Sequence, residues 1–202
     1  MPLLLHACCG PCSLEPLRLL REEGFEPTIC WANPNIQPDA EHDLRLATLL
    51  AWARDVAEVD VIIGRCERDR WEASVAYKGF EREERCRACY AVRLAEACRI
   101  ARERGFTHIS TTLAVSPYQL FDDCVEILVR LAEAHGLEPV VRDFRPNYPD
   151  AVTQSRELGM YRQSYCGCRF SAAEAAEMRH AARDARKAGR TSADDPSMAF
   201  PG

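Results

Sequence analysis

Apolar and polar positions follow two rhythms along this chain. The short apolar run Leu3-Leu4-Leu5 opens a predicted first strand over residues 3–7. From Ser13 to Glu23, Leu14, Leu17 and Leu20 recur at helical spacing, and Gly24 stops the segment. Phe25 to Trp31 predicts a second strand, which completes a βαβ opening. Asn33 to Pro38 predicts a loop, because two prolines within it forbid a helix. Further helices are predicted over 39–56, 68–77, 86–104, 121–135, 151–158 and 171–188, the last with an N-cap at Ser171. Leu44, Leu49, Leu50 and Trp52 are the core candidates of the first of these. Further strands are predicted over 59–63, 108–113 and 139–143, with a charged connection at 78–85 and a turn at Ser116-Pro117-Tyr118.

About five strands alternating with helices argue an α/β fold: a parallel sheet covered on both faces. The chain shows no repeat and no linker, so residues 1–190 are expected to form a single α/β domain. Residues 191–202 are small, acidic and proline-bearing, and a disordered tail is expected there.

Composition narrows the partners. The net charge is -5, so a nucleic-acid partner must meet a local basic patch rather than a basic protein. Arg179, Arg183, Arg186 and Arg190 supply one at helical spacing, with Arg162, Arg169 and Lys187 nearby. No run approaches the roughly 18 apolar residues of a spanning helix, and no signal peptide is evident at the start. A cytoplasmic location without membrane contact is expected.

The eleven cysteines then change the picture, because reducing compartments do not sustain disulfide scaffolds. Seven fall in three tight groups: Cys8/Cys9/Cys12, Cys86/Cys89 and Cys166/Cys168. Cys30, Cys66, Cys98 and Cys124 stand alone and are expected to pack in the core. The first group follows the first strand directly, at the edge where open sheets bind ligands. Cys9-x-x-Cys12 and Cys86-x-x-Cys89, both expected at helix starts, suit a four-thiolate site for zinc or an iron–sulfur cluster. The remaining Cys8, Cys166 and Cys168 suit a second metal with an open coordination position. A zinc-stapled binding module explains one pair of CxxC motifs and leaves three thiols over. A thiol–disulfide enzyme leaves five.

Five motifs in order resemble the QueH family of epoxyqueuosine reductases: His6-Ala7-Cys8-Cys9-Gly10-Pro11-Cys12, Asn33-Pro34-Asn35-Ile36, Cys86 to Leu94, Thr111 to Gln119, and Tyr161 to Cys168. The resemblance spans about residues 3–171. It implies a Rossmann-like fold similar to the adenine-nucleotide α-hydrolase type. The implied reaction is cobalamin-independent reduction of epoxyqueuosine to queuosine in tRNA, the last step of queuosine biosynthesis. The implied cofactors are a [4Fe–4S] cluster and a separate mononuclear iron, fed by an electron donor.

With that resemblance, Cys9, Cys12, Cys86 and Cys89 are assigned to the cluster, and Cys8, Cys166 and Cys168 to the second iron. His6, Tyr165 and Asp143 are the candidate proton donors to the departing oxygen. Thr111, Thr112, Ser116, Gln119, Asn33, Asn35 and Arg162 are the candidate substrate contacts. An iron–sulfur tRNA-thiolating enzyme is the runner-up. It needs ATP, and Pro11 lacks the N–H that a phosphate cradle requires at this turn.

Overall fold

A computed structural model describes residues 1–78 and 81–193, with side chains to 186. Its centre is a five-stranded sheet: β1 (Pro2–Ala7), β2 (Glu26–Trp31), β3 (Val61–Ile63), β4 (His108–Thr111) and β5 (Glu138–Pro139). The order is β3-β2-β1-β4-β5, and every pairing is parallel. The helices among the described residues are α1 (Leu14–Glu22), α2 (Asp39–Trp52), α3 (Arg68–Ala76), α4 (Arg82–Glu103), α5 (Phe121–Ala134), α6 (Tyr148–Glu157) and α7 (Arg169–Ala193).

The chain divides into two compact units, Met1–Arg162 and the segment from Gln163 onward. Helix α7 continues past residue 190 to Ala193, and the rest of the expected tail, 194–202, lies outside the described residues.

Strand β1 explains its own sequence. It pairs with β2 on one side and β4 on the other, so Leu3 to Ala7 are fully buried. Leu3, Leu5 and Ala7 pack with Leu14, Leu17 and Leu20 of α1 and with Leu49 and Trp52 of α2. Leu4 packs with Leu94 and Cys98 of α4 and with Cys124 and Ile127 of α5. The strand order reverses at β1, and ligands of open α/β sheets bind in the crevice such a reversal leaves at the carboxyl edge.

Several expectations need correction. Leu44 and Leu50 are exposed on α2, since the stripe through Leu49 and Trp52 already meets the sheet. Helix α4 begins at Arg82, not Cys86; Glu83 and Glu84 in its first turn complement the helix dipole where charge alone suggested a connection. Helix α6 begins at Tyr148 because Pro149 is tolerated in a first turn. Strand β4 stops at Thr111, whose hydroxyl accepts the Leu113 N–H at 3.2 Å and caps a 3-10 turn over Thr112–Val115. Strand β5 is two residues long, not five, and Pro139 within it cannot donate to the ladder. Ser171 lies within the first turn of α7, where its hydroxyl donates to the Cys168 carbonyl at 2.9 Å. Cys66 is exposed, while Cys30, Cys98 and Cys124 are buried as expected.

Candidate metal centre

The turn after β1 folds over itself. Ser13 Oγ donates to the Cys9 carbonyl at 2.8 Å, and the Cys12 N–H points at Cys9 Sγ from 3.4 Å. This curl brings three sulfurs together: Cys8 Sγ and Cys9 Sγ are 3.8 Å apart, and all three of Cys8, Cys9 and Cys12 lie within 4.8 Å of one another. Among the described residues it is the only such group of metal-ligating side chains. Convergent soft donors of this kind select zinc, copper(I) or iron–sulfur centres, so the residues fit the metals expected from the sequence.

The three thiols are not equivalent. Hydrogen bonding with Cys12 and Cys9, the Arg93 charge and Thr112 together hold Cys8 well below the usual thiol range, against the effect of burial. Cys12 is raised by hydrogen bonding with Cys8 and Cys9 and by burial, and Cys9 is raised chiefly by burial.

Side chains far apart in sequence hold this turn. The Cys8 N–H donates to Thr112 Oγ1 at 3.1 Å, and that hydroxyl lies 3.4 Å from Cys8 Sγ. His6 is fully buried. Its Nδ1 meets Thr111 Oγ1 at 2.9 Å and its Nε2 faces the Ala32 carbonyl at 3.4 Å. Since a carbonyl only accepts, Nε2 carries the proton and Nδ1 accepts from the Thr111 hydroxyl. Burial, then the Arg93 charge, lower the His6 pKa to about 3, so the ring is a neutral brace. Asn33 Nδ2 donates to the Ala7 carbonyl at 2.8 Å, and Arg93 Nη2 donates to Asn33 Oδ1 at 2.6 Å. Arg93 thereby ties α4 to the end of β1.

Helix α4 carries Cys86, Cys89, Tyr90 and Arg93 along one face, spaced three and four apart. Cys89 is buried and Cys86 half-buried. Cys86 and Cys8 pack against the same apolar cluster between the sheet and α4. Burial pushes Cys124 up to about 12, and it feels the charges of Cys8 and Cys89 as well. The second CxxC pair thus lies in α4's second turn, not at the helix mouth.

The other expected site residues divide clearly. Thr111 and Thr112 are buried and their hydroxyls are engaged inside the protein. Ser116 Oγ accepts the Tyr118 N–H at 3.3 Å, and Gln119 Oε1 accepts from the Tyr90 hydroxyl at 2.8 Å. Asp143 forms a two-pronged ion pair with Arg145, at 2.8 and 2.7 Å, which lowers its pKa. Asn35 is buried, and neither atom of its carboxamide has a hydrogen-bond partner among the described residues. Arg162 is exposed.

Tyr165, Cys166 and Cys168 belong to the second unit. There Cys168 Sγ sits at the mouth of α7 and accepts the Ser171 N–H at 3.4 Å. Gly167 has φ +145, a conformation that L side chains avoid, which explains the glycine between the two thiols.

Sequence reasoning missed Arg93 as a site residue. Its signal was present: it lies four residues after Cys89 and seven after Cys86, which places it on the same helix face.

A doubly wound parallel sheet with three convergent thiols at its switch point defines an α/β protein whose cysteine group could hold a metal. The model of the family described as "Epoxyqueuosine reductase QueH" matches residues 3–174. The chain belongs to this family, whose members are oxidoreductases. It is similar to the epoxyqueuosine reductase QueH of Thermotoga maritima, at 34% identity over 86% of this chain and 92% of that one. The namesake from Dehalococcoides mccartyi is 31% identical over 84% and 91%, respectively. A solved predicted subunit of tRNA methyltransferase from Methanocaldococcus jannaschii is a distant likeness, with TM-score 0.46 and 11% identity over 78% of this chain and 88% of that chain.

Proposed function

We propose that this chain reduces epoxyqueuosine to queuosine in tRNA. The observation that carries the reading is the group of three thiols within 4.8 Å, set at the sheet's switch point in a chain of this family. The reaction opens both C–O bonds of an epoxide. Two electrons and two protons convert it to an alkene and water, and an external reductant must supply the electrons.

The proposed ligands of a [4Fe–4S] cluster are Cys9, Cys12, Cys86 and Cys89, and the three clustered thiols left over, Cys8, Cys166 and Cys168, are proposed for a second iron. When bound, these groups supply one-electron transfer and a Lewis-acidic position for the epoxide oxygen. The protein's own part is to hold the sulfurs and deliver a proton. Asn33, Arg93, Thr111 and Thr112 fix the turn from three directions. His6 is neutral with both ring nitrogens engaged, so its role is to position the turn. Asp143 is ionised in its pair with Arg145. Tyr165 therefore stands as the proposed proton donor, and the carboxamide of Asn35 as a substrate contact.

The proposed RNA surface is the exposed part of α7. Its residues 177–186 are exposed on every side. At 100° per residue, Arg179, Arg183 and Arg186 fall within an arc of about 60°. Glu174, Glu177 and Asp184 fall on the opposite side. None of the three arginines forms an ion pair among the described residues, so the basic stripe is open to phosphates. No helix among the described residues is long and apolar enough to cross a membrane, and the proposed place of action is the cytoplasm.

The test is elemental analysis of protein purified without oxygen, followed by assay on epoxyqueuosine-containing tRNA. About four sulfides with four to five irons per chain, and conversion to queuosine, are expected. One zinc and no sulfide after anaerobic reconstitution would refute the redox reading.

A further inference from the structure

Tyr118 is 67% open to solvent, yet its backbone is clamped. Its N–H donates to Ser116 Oγ at 3.3 Å, and its carbonyl accepts from Arg82 Nη2 at 2.7 Å. The next residue, Gln119, donates its N–H to the Ser116 carbonyl and accepts from the Tyr90 hydroxyl. That hydroxyl also accepts the Leu120 N–H at 3.1 Å. The ring is thus held up by a loop fastened to α4 at two points. An apolar ring displayed on a braced backbone has a surface cost that burial would normally remove.

The ring's neighbour shows where it stands. Tyr118 packs edge to face with Tyr148, at 6.5 Å and 87°. Tyr148 opens α6, and it is near enough to feel the charges of Cys12, Tyr118 and Arg162. Tyr148 is thus near both the thiol turn and Tyr118. Arg162 is exposed beside this row, with no hydrogen bond or ion pair among the described residues. A nearly perpendicular ring pair cannot sandwich a base, so one that arrives here stacks on the open side of Tyr118 alone.

We propose that Tyr118 is a stacking platform for an unpaired nucleobase of the RNA substrate, adjacent to the nucleotide presented to the thiol site, with Arg162 on the neighbouring phosphate. This rests on the functional reading above and adds to it how the RNA is held. Proteins read unpaired loops by splaying bases onto aromatic rings, and a single stack is indifferent to the base's hydrogen-bonding edge. A reductase that must bring one modified base to a recessed cluster has to unstack it from its neighbour. Tyr118 would replace the lost stacking partner.

The probe is an anticodon stem-loop RNA with 2-aminopurine next to the queuosine position, titrated into the metal-loaded protein. Binding to the native protein is expected to change the 2-aminopurine fluorescence. Tyr118→Ala is expected to abolish that change and weaken affinity by roughly 5- to 150-fold, the range one base–aromatic stack supplies. Tyr118→Phe and Tyr118→Trp are expected to restore both. The slope of log affinity against log salt should be the same in Tyr118→Ala, since stacking releases no counterions. In Arg162→Gln it should fall by about 0.7 for the lost phosphate contact. Wild-type affinity and fluorescence in Tyr118→Ala would overturn the platform alone. A native protein with no affinity for the stem-loop would overturn the functional reading and the platform with it.

Discussion

Replacing Thr111 with valine separates two roles for its hydroxyl, structural brace or substrate contact. The side chain is 3% exposed, and valine matches its shape, so packing is nearly unchanged. What disappears is one oxygen with two duties: donating to His6 Nδ1 at 2.9 Å and accepting the Leu113 N–H at 3.2 Å. Both partners are then left buried and unsatisfied, at about 1–3 kcal/mol each. The expected loss is therefore about 2–6 kcal/mol, a large part of the stability of a typical domain. For a chain of this size, each kcal/mol lowers Tm by about 2–4 °C. Thr111→Ser keeps the hydroxyl, loses one methyl and should cost about 1 kcal/mol. The assay is urea unfolding of the reduced, chelator-treated protein, so that metal binding does not enter. A loss below about 0.5 kcal/mol for Thr111→Val, together with a raised KM for tRNA, would refute the brace and return Thr111 to the substrate.

Three further outcomes are expected. Cys8→Ala and Cys166→Ala should abolish turnover while acid-labile sulfide is retained; turnover persisting in both would remove the second iron from the reaction. Asn35→Leu removes a buried carboxamide that has no hydrogen-bond partner among the described residues, so it should stabilise the substrate-free protein by about 1–3 kcal/mol while lowering kcat/KM. A destabilised variant in thermal unfolding would show that the amide is satisfied within the protein. Replacing Arg179, Arg183 and Arg186 together by glutamine should reduce the salt slope of tRNA binding by about 2, near 0.7 per phosphate contact; an unchanged slope would clear α7 of any part in the RNA interface.

The strands were legible where burial is two-sided. Leu3-Leu4-Leu5 reads as strand because β1 has neighbours on both edges and helices on both faces. The start of α4 was illegible because Glu83 and Glu84 look like connection until their place in a helix's first turn is known. The cysteine groups were readable from spacing, but their convergence was only partly so. Cys9 and Cys12 meet through one local curl, whereas Cys8 is fixed by Thr112, 104 residues away. Thr111 and Thr112 were expected at the substrate because they end a strand on the ligand edge. In the structure their hydroxyls meet His6 and Cys8, at and just beyond the end of the β1–β4 pairing, and register of that kind is invisible to a reading of each segment alone. Arg93 was missed for the same reason: its function depends on Asn33, 60 residues away.

The crowding of Cys8, Cys9 and Cys12 also exposes the turn to oxidation. Oxygen converts an accessible thiolate to a sulfenic acid, which condenses with a neighbouring thiol. Bridging adjacent residues strains the disulfide geometry, which leaves the thiol of Cys12, within 4.8 Å of Cys8, as the ready partner. The empty turn is thus its own trap: closeness that suits a metal also suits a bond that excludes it. For the proposed metal centre, loading would therefore compete with oxidation of the apoprotein.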